Sequence, residues 1–330
     1  MANQENGLLA RLDRFCDAVP RAAAHFEELG DYVLFVRDGA AGWPFYARPR
    51  VGVTARPAAA DITTVRARQR ELGLPESFEW IHERNPDLLA VARSAGLGVQ
   101  QAPLMVLDPA ALAPTDRFAD LSVRLLDPDS PTFAAELATW YAVTQAAFGS
   151  HADGPTALPS VASESPEIVT VTFPTVDDGH SGTVQADANG AGAADSAVGS
   201  AADSADGLAA VADPAAAGVA GLVTAERLAI RSGARAIALA RLPGDVRATA
   251  AGSLHRVGDV AEIAGVGTLP AARRRGLASA VTLTLAGHAL ADGVELIFLA
   301  ANDDDVAVLY HRLGFRRVGT SCIAAPSTHP

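Results

Sequence analysis

Short apolar runs alternate with amphipathic stretches along most of the chain, and this alternation predicts an α/β protein. Helical spacing or helix start and stop signals predict helices at 8–29, 61–73, 86–95, 131–148, 224–232, 277–291 and 302–313. Apolar and alternating runs predict strands at 32–37, 77–82, 99–107, 122–126, 234–242, 246–254, 260–269, 294–300 and 316–325. The run at 294–300 is nearly all apolar, which is typical of a central strand buried on both faces.

The same pattern divides the chain into an N-terminal subdomain, 1–113, and a main domain, 122–330. A linker at 114–121 joins them, in a segment marked by Pro109 and Pro114. Within the main domain, residues 150–221 form an insertion, and from residue 183 onward it is mostly Ala, Gly, Asp and Ser. Because such a segment has little to bury, we expect most of the insertion to be disordered.

The candidate chemistry is concentrated at 261–278, where a strand, a basic loop and a helix follow one another. Pro270 ends the apolar strand, since proline cannot continue a sheet ladder. Three arginines then precede Gly276, which opens the helix. Free backbone N–H groups at a helix N-terminus, with arginines beside them, favour a phosphate.

The loop Arg273-Arg274-Arg275-Gly276-Leu277-Ala278 has the form R-x-x-G-x-A. It resembles the acyl-CoA pyrophosphate loop of the GCN5-related N-acetyltransferase (GNAT) superfamily. Asn302 and the later Tyr-x-x-x-Gly-Phe of residues 310–315 follow in the order and spacing of that family. The resemblance implies an α/β (α+β) fold with a mixed, mostly antiparallel central sheet flanked by helices, and acetyl-CoA as cosubstrate without a metal.

By this resemblance, the cofactor-binding residues are those of the loop, the end of the strand before it, and Asn302. They are Val266, Gly267, Thr268, Arg273, Arg274, Arg275, Gly276, Leu277, Ala278, Ser279 and Asn302. The loop and Ser279 would hold the pyrophosphate, while backbone groups of Val266 and Thr268 would face the acetyl-pantetheine arm. Glycine at positions 265 and 267 would allow close approach.

Two residues are the candidate catalytic groups. Glu262 matches a strand glutamate that serves as general base in several family members; the alternative is a structural glutamate paired with an arginine. Tyr310 corresponds to the family tyrosine beside the CoA sulfur, a general acid; the alternative is a core tyrosine. His255 and Asp259 are weaker candidates for the base.

The N-terminal subdomain is similar to the second half of such a domain that has lost its phosphate loop, and the alternative is an unrelated α/β lid. Residues 95–97, Ala-Gly-Leu, stand where Leu-Gly-Phe is expected. Four residues in or after its strand at 77–82 could face a substrate, although Trp80 is as well explained as a structural residue: Glu79, Trp80, His82 and Glu83. The main domain has one strand fewer than the family usually has. The additional strand is either missing or supplied by residues 99–107.

Composition narrows the range of functions that the chain can have. The net charge is −12 and all 26 basic residues are arginine, so lysine chemistry is excluded, nucleic-acid binding is disfavoured and an amine substrate is favoured. The two cysteines, Cys16 and Cys322, give neither a disulfide framework nor metal-ligand spacing. The sequence shows no signal peptide and no membrane-spanning run, so we expect a cytoplasmic protein without a membrane partner.

The sequence therefore predicts an enzyme that transfers an acetyl group from acetyl-CoA to a primary amine of a small molecule, by direct attack on the thioester. Two alternatives stay open: acetylation of a protein or peptide, and a catalytically weak CoA-binding regulator. Homodimer formation is also left open by the sequence.

Overall fold

One eleven-stranded sheet, formed by both halves of the chain, is the centre of the fold among the described residues. The structure is a computed structural model, and it describes residues 2–22, 24–37, 46–53, 57–148, 169–172, 183–186 and 214–327. Within these residues the structure is a mixed, mostly antiparallel sheet flanked by helices, which confirms the predicted fold class.

The N-terminal half contributes three helices and five strands to the described structure. They are α1 (Ala2–Arg21), β1 (Ala24–Leu29), β2 (Tyr32–Arg37), β3 (Ala47–Pro49), α2 (Ala59–Glu71), β4 (Phe78–Ile81), α3 (Leu88–Ser94) and β5 (Leu97–Leu107). The predicted helix at 8–29 is wrong over its last part, because α1 ends at Arg21 and β1 follows. Proline at position 20 stops the helix. Gly30 has a φ of 60°, and it forms with Asp31 the tight turn between β1 and β2.

The first strand after the segment 114–121 begins at Ser122. The elements of the C-terminal half are β6 (Ser122–Leu125), α4 (Phe133–Phe148), β7 (Val169–Thr172), β8 (Thr183–Ala186), α5 (Pro214–Arg231), β9 (Arg235–Arg241), β10 (Ala250–Val257), β11 (Val260–Thr268), α6 (Leu277–Ala291), β12 (Leu296–Ala300), α7 (Asp304–His311) and β13 (Phe315–Pro326).

The predicted insertion, 150–221, is described only in part. Strands β7 and β8 pair with each other as an antiparallel ladder. Helix α5 begins at Pro214, so 214–221 belong to this helix and not to the insertion. The other residues of the predicted insertion lie outside the described residues.

The two halves exchange strands in the middle of the sheet. The strand order is β1-β2-β3-β4-β13-β5-β12-β11-β10-β9-β6. Strand β13, from the end of the chain, lies between β4 and β5 of the N-terminal half. Strand β5 in turn lies between β12 and β13 of the C-terminal half. The final strand that the main domain lacks is thus supplied by residues 97–107.

Helix α1 crosses the region of strand exchange on one face of the sheet. Its Leu12 and Phe15 pack in one cluster with Ile81 of β4, Val260 of β11 and Phe298 of β12. The rings of Phe15 and Phe298 meet edge to face, with centroids 5.1 Å apart. Helix α1 therefore ties β4 of one half to the strands of the other.

Strand β11 separates from its neighbour β12 after a short parallel pairing. The ladder between them covers only Val260–Glu262 of β11. On the other side, the register with β10 shifts between Ala251 and Ser253, and Gly265 has a φ of 62°. This β-bulge falls where the two strands have parted, immediately before the loop with the candidate chemistry.

Candidate active site

The loop between β11 and α6 ends in a helix N-terminus with an unusual backbone. After a turn at Pro270–Ala272, Arg274 has a φ of 60°, and Gly276, the N-cap of α6, has a φ of 84°. No side chain caps this helix. The N–H groups of its first turn therefore remain available to an anion, and the helix dipole favours a negative charge there.

Gly276 is also required by its neighbours. A Cβ atom at this position would lie 2.8 Å from the Phe118 ring and 3.7 Å from Leu121. Both neighbours belong to the segment predicted as a linker, 114–121. This segment therefore packs against the candidate phosphate loop, and a side chain at position 276 would push the two apart.

The three arginines of the loop differ in their contacts. Arg273 donates hydrogen bonds from its guanidinium to the carbonyl oxygens of Thr268 and Ala147, both at 3.2 Å. It therefore ties the loop to the end of β11 and to α4. Arg274 and Arg275 are exposed, and neither has a hydrogen bond or ion pair with another described residue. These two guanidinium groups are free to bind a ligand.

The remaining loop residues expose mainly their backbone. Leu277 is buried in the core and Ser279 is buried as well, while the carbonyl of Ala278 accepts a hydrogen bond from the Thr282 hydroxyl. Any contact of Leu277 with an anion would have to be made by its N–H group. A backbone contact with a phosphate at the start of α6 stays a prediction.

Gly267, near the end of β11, was expected to allow the close approach of a ligand, and its packing differs from this expectation. A Cβ atom on Gly267 would lie 2.6 Å from the Cβ atom of Ala147, so the side-chain side of this glycine is occupied by α4. The close approach expected here is thus made by a helix. The side chain of Val266 points toward α6, and the Thr268 hydroxyl is buried without a hydrogen-bond partner among the described residues.

Asn302 lies just before α7, and Tyr310 lies at the C-terminal end of this helix. Asp303, and not Asn302, caps this helix, accepting a hydrogen bond from the N–H of Val306. Asn302 donates to the Asp303 carboxylate at 2.9 Å and accepts from the Gln100 amide at 3.3 Å. Gln100, from the N-terminal half, was missed by the sequence reasoning; its polar side chain within the strand at 99–107 was the available signal.

Tyr310 is almost fully buried, beside the Phe315 ring at 6.0 Å between centroids. Burial raises the pKa of its hydroxyl to about 12. Gly314 shapes the same turn, since its φ is 105° and a Cβ atom would lie 2.5 Å from the carbonyl oxygen of Ala111. These contacts account for the Gly of the Tyr-x-x-x-Gly-Phe sequence.

Glu262 lies on β11, opposite His255 of β10 and Phe298 of β12. Burial, and then the nearby Glu79 carboxyl group, raise the pKa of Glu262 to about 8. Its carboxylate has no hydrogen bond or ion pair with any described residue. The structural alternative, a glutamate paired with an arginine, is therefore not what this part of the chain shows.

The two weaker candidates for the base have other roles. His255 lies with its Nε2 atom 2.9 Å from the Arg235 guanidinium. Burial and this positive charge hold its pKa well below the usual range, so the ring is neutral. Asp259 forms an ion pair with Arg11 of α1 at 2.7 Å and is half exposed. This ion pair links α1 to the turn between β10 and β11 at the surface.

Of the four N-terminal candidates, Glu79 alone shares surroundings with Glu262. Trp80 is buried in the core on the other face of the sheet, which fits its structural alternative. The Glu83 carboxylate accepts a hydrogen bond from the N–H of Thr320 at 2.9 Å, and His82 lies in the short helical turn after β4. Burial raises the pKa of Glu79 to about 7, although Arg48 lowers it.

The fold and this loop define an acyl-CoA transferase of the type that the sequence resembles. Residues 215–315 match the model of the acetyltransferase (GNAT) family. Residues 215–315 therefore form a GNAT domain, and members of that family in general use acetyl-CoA as cosubstrate. No curated protein sequence matches the chain.

A solved structure shows the same fold over nearly the whole chain. A GCN5-related N-acetyltransferase from Kribbella flavida is 18% identical with a TM-score of 0.60, covering 97% of this chain and 96% of its own. A GCN5-related N-acetyltransferase from Sphaerobacter thermophilus is 14% identical with a TM-score of 0.49, and the match covers 92% of this chain and 83% of its own. A tandem GNAT protein from the clavulanic acid biosynthesis pathway is 13% identical with a TM-score of 0.47, and the match covers 91% of this chain and 79% of its own. The whole chain thus has a fold like that of the Kribbella flavida protein, and the GNAT family model matches only its residues 215–315.

Proposed function

We propose that this protein transfers the acetyl group of acetyl-CoA to a primary amine of a small molecule, by direct attack of the amine on the thioester. The observation that carries the proposal is the uncapped N-terminus of α6, with the free guanidinium groups of Arg274 and Arg275 beside it. This arrangement suits a pyrophosphate. Its position at the end of β11, where β11 has separated from β12, leaves an open edge for the acyl-carrying arm.

Glu262 is the proposed general base. In the reaction the amine nitrogen forms a bond to the thioester carbonyl carbon, the bond from that carbon to sulfur breaks, and the amine loses a proton. Glu262 lies four residues before Val266, which is about 13 Å along a strand. The proton therefore reaches its carboxylate through a water molecule or within the acceptor cleft. A pKa of about 8 suits a base that accepts protons near neutral pH.

Tyr310 is the proposed general acid, which protonates the departing thiolate. Its pKa of about 12 keeps the hydroxyl protonated at all physiological pH values. The hydroxyl would donate a hydrogen bond to the sulfur as negative charge develops on it, and the proton would follow as the bond from carbon to sulfur breaks. Asn302 would hydrogen-bond the pantetheine arm, in a position that Gln100 supports.

An amine acceptor is supported by the charge of the protein and of the candidate site. The chain carries a net charge of −12, and the carboxyl group of Glu262 has no ion pair with a described residue. Such a field attracts a cation. Among the described residues no group of three His, Cys, Asp or Glu side chains could hold a metal ion, and no helix is both long and apolar enough to cross a membrane.

A direct titration tests the cofactor assignment. We expect wild-type protein to bind acetyl-CoA in calorimetry, and Arg274→Ala with Arg275→Ala to weaken binding at least tenfold, because each charge-assisted bond to a phosphate contributes about 1.5–3 kcal/mol. Arg273 is left intact because its hydrogen bonds hold the loop. The control, Arg14→Ala with Arg93→Ala, removes two exposed arginines from the N-terminal half and should leave affinity unchanged.

The outcome also separates the alternatives. Equal affinity of wild type and the loop variant would remove the cofactor assignment. Acetyl-CoA binding without acetylated product, across small amines and peptides followed by mass spectrometry, would favour a regulatory CoA-binding protein. Acetylated peptides without acetylated small amines would favour the protein-directed alternative.

A further inference from the structure

Arg117, in the segment 114–121 between the two halves, brings a further guanidinium group to the candidate phosphate loop. Its side chain lies over the ring of Phe118, with the guanidinium carbon 4.9 Å from the ring centroid. The same ring faces Gly276, where a Cβ atom would lie 2.8 Å from the Cε1 atom of Phe118. A single aromatic ring therefore separates the Arg117 guanidinium from the N-cap of α6.

A short helical turn, Asp116–Phe118, holds Arg117 in this place. The backbone N–H of Phe118 donates a hydrogen bond to the carbonyl of Thr115, and that of Leu121 donates to the carbonyl of Phe118, both at 2.9 Å. The side chains of Phe118 and Leu121 pack against the core cluster beneath α6. The backbone that carries Arg117 is thus fixed beside the loop before a ligand arrives, which lowers the entropy cost of binding.

The Arg117 guanidinium is not neutralised within the described structure. Arg117 is exposed and has no hydrogen bond or ion pair with another described residue. Asp116 and Asp120 flank it in the sequence, but neither forms an ion pair with it. The contact with the face of the Phe118 ring orients the guanidinium and uses none of its N–H donors. All of these donors therefore remain available to an acceptor.

A second phosphate group of the cofactor suits this free arginine. The planar guanidinium matches phosphate oxygens with two parallel hydrogen bonds. In the proposed function the N-terminus of α6, with Arg274 and Arg275, binds the pyrophosphate of acetyl-CoA. CoA carries a further phosphate on O3′ of its ribose, one sugar ring away from the pyrophosphate. Arg117 stands one aromatic ring away from Gly276, so cofactor and protein both present two charged centres with one ring between them.

We propose that Arg117 binds the 3′-phosphate of CoA and makes the protein selective for the 3′-phosphorylated cofactor. This role rests on the proposed function, in which the loop before α6 binds the pyrophosphate. Phe118 is then a positioning residue, because its ring holds the Arg117 guanidinium on one side and packs against Gly276 on the other. The segment between the halves would thus contribute directly to the cofactor site.

The overall charge of the chain makes such a contact valuable. The net charge of −12 repels an anionic cofactor at long range. A local group of unpaired arginines, Arg117, Arg274 and Arg275, offsets this repulsion where the phosphates bind. A phosphate monoester carries about 1.5–2 negative charges at neutral pH, so the 3′-phosphate requires a cation of its own.

Calorimetric titration of two cofactors into two proteins tests this role without any acetyl transfer. Acetyl-CoA and acetyl-dephospho-CoA differ only in the 3′-phosphate. We expect wild type to bind acetyl-CoA about fivefold more tightly than acetyl-dephospho-CoA, in the range of a well-placed exposed ion pair. Arg117→Ala should bind the two cofactors equally, because acetyl-CoA loses its additional contact while the affinity for acetyl-dephospho-CoA stays as in wild type.

Three controls separate this contact from a general effect of charge. Arg93→Ala removes an exposed, unpaired arginine of the N-terminal half and should leave both affinities unchanged. Arg117→Lys keeps the charge without the planar fork, so it should keep part of the discrimination between the cofactors. Raising the salt concentration should reduce the difference between wild type and Arg117→Ala, because salt screens exposed charges.

Each contrary result has a distinct meaning. An equal loss of affinity for both cofactors in Arg117→Ala would assign Arg117 to the pyrophosphate and overturn its role at the 3′-phosphate. Discrimination as strong in Arg117→Ala as in wild type would overturn that role as well. Equal affinity of wild type for the two cofactors would overturn it without any variant. In these three cases acetyl-CoA still binds and the proposed function stands, whereas wild type that binds no acetyl-CoA would remove both.

Discussion

Tyr310 illustrates how burial of a single side chain selects the proton transfer that it can perform. The hydroxyl lies within the core cluster beneath α6, next to Phe315. Desolvation disfavours the phenolate, so the pKa is raised and the group acts as a donor only. Its alternative as a purely structural tyrosine is tested by removing the hydroxyl and keeping the ring.

Tyr310→Phe should lower kcat by about 10²-fold and leave acetyl-CoA affinity nearly unchanged, because the ring still packs and a proton donor alone is lost. Steady-state kinetics and calorimetry on the same preparation give both quantities. Phe315→Leu is a packing control in the same cluster and should change stability more than kcat. A Tyr310→Phe enzyme with full kcat would leave the residue as part of the core.

At the scale of elements, the β11–α6 loop and the segment 109–121 form one unit. Phe118 and Leu121 face Gly276, while the carbonyl of Ala111 lies against Gly314. Two backbone hydrogen bonds, from Asp108 to Gly314 and from Ala113 to Leu313, continue this contact. The segment between the halves therefore supports both glycines of the candidate site and is more than a spacer.

Gly276→Ala should destabilise the protein by about 1–2 kcal/mol from the left-handed conformation alone, with a further contribution from the contact with Phe118. Acetyl-CoA affinity should fall at the same time, because the N-terminus of α6 is displaced. Chemical unfolding and calorimetry measure the two effects. Gly287→Ala is the control within α6: a Cβ atom there meets nothing within 4 Å, and stability should rise by about 0.5–1 kcal/mol.

A companion variant separates the two causes. Phe118→Leu combined with Gly276→Ala removes the ring contact and leaves the left-handed backbone unchanged. We expect it to recover part of the lost stability relative to the sum of the single changes. Equal stability of Gly276→Ala and wild type would mean that the loop adopts another backbone conformation.

Local signals in the sequence were sufficient to identify the candidate phosphate loop and to predict most helices and strands. Pro270 and Gly276 act through their own backbone, so their effect is visible without knowledge of the fold. The end of α1 was not predicted, because Gly30 ends a helix as readily as it forms a hairpin turn. The start of α5 at Pro214 was also missed, since the preceding Ala-rich composition is shared by helices and disordered segments.

The residues that pair with Glu79 and Glu262 across the sheet, Ile323 and Phe298, could not be predicted from local pattern. Their strands stand far apart in sequence, and the choice of partner for a strand depends on the whole sheet. Glu79 was recognised only as a residue of the strand at 77–82 that could face a substrate. Its place in the sheet follows from the exchange of β5 and β13 between the halves.

At the scale of the whole molecule, this exchange makes the halves interdependent. Strand β5 pairs with β13 along its whole length and with β12 on its other side. Without the N-terminal half, β12 and β13 would both have an open edge where β5 now lies, and unpaired edges invite aggregation. Helix α1 adds an apolar contact between β4 and the strands of the C-terminal half, so the sequence boundary at 113 is not a boundary of folding.

Expression of residues 114–330 alone should therefore give an insoluble or non-cooperatively unfolding product, and residues 1–113 alone should behave likewise, because each loses the central strand that the other supplies. Co-expression of the two fragments provides the control, since it restores every strand without restoring the peptide bond. We expect a stable one-to-one complex by size-exclusion chromatography, with a single thermal transition. A fragment 114–330 that is monomeric, folds cooperatively and keeps acetyl-CoA affinity would show that the C-terminal half completes its own sheet.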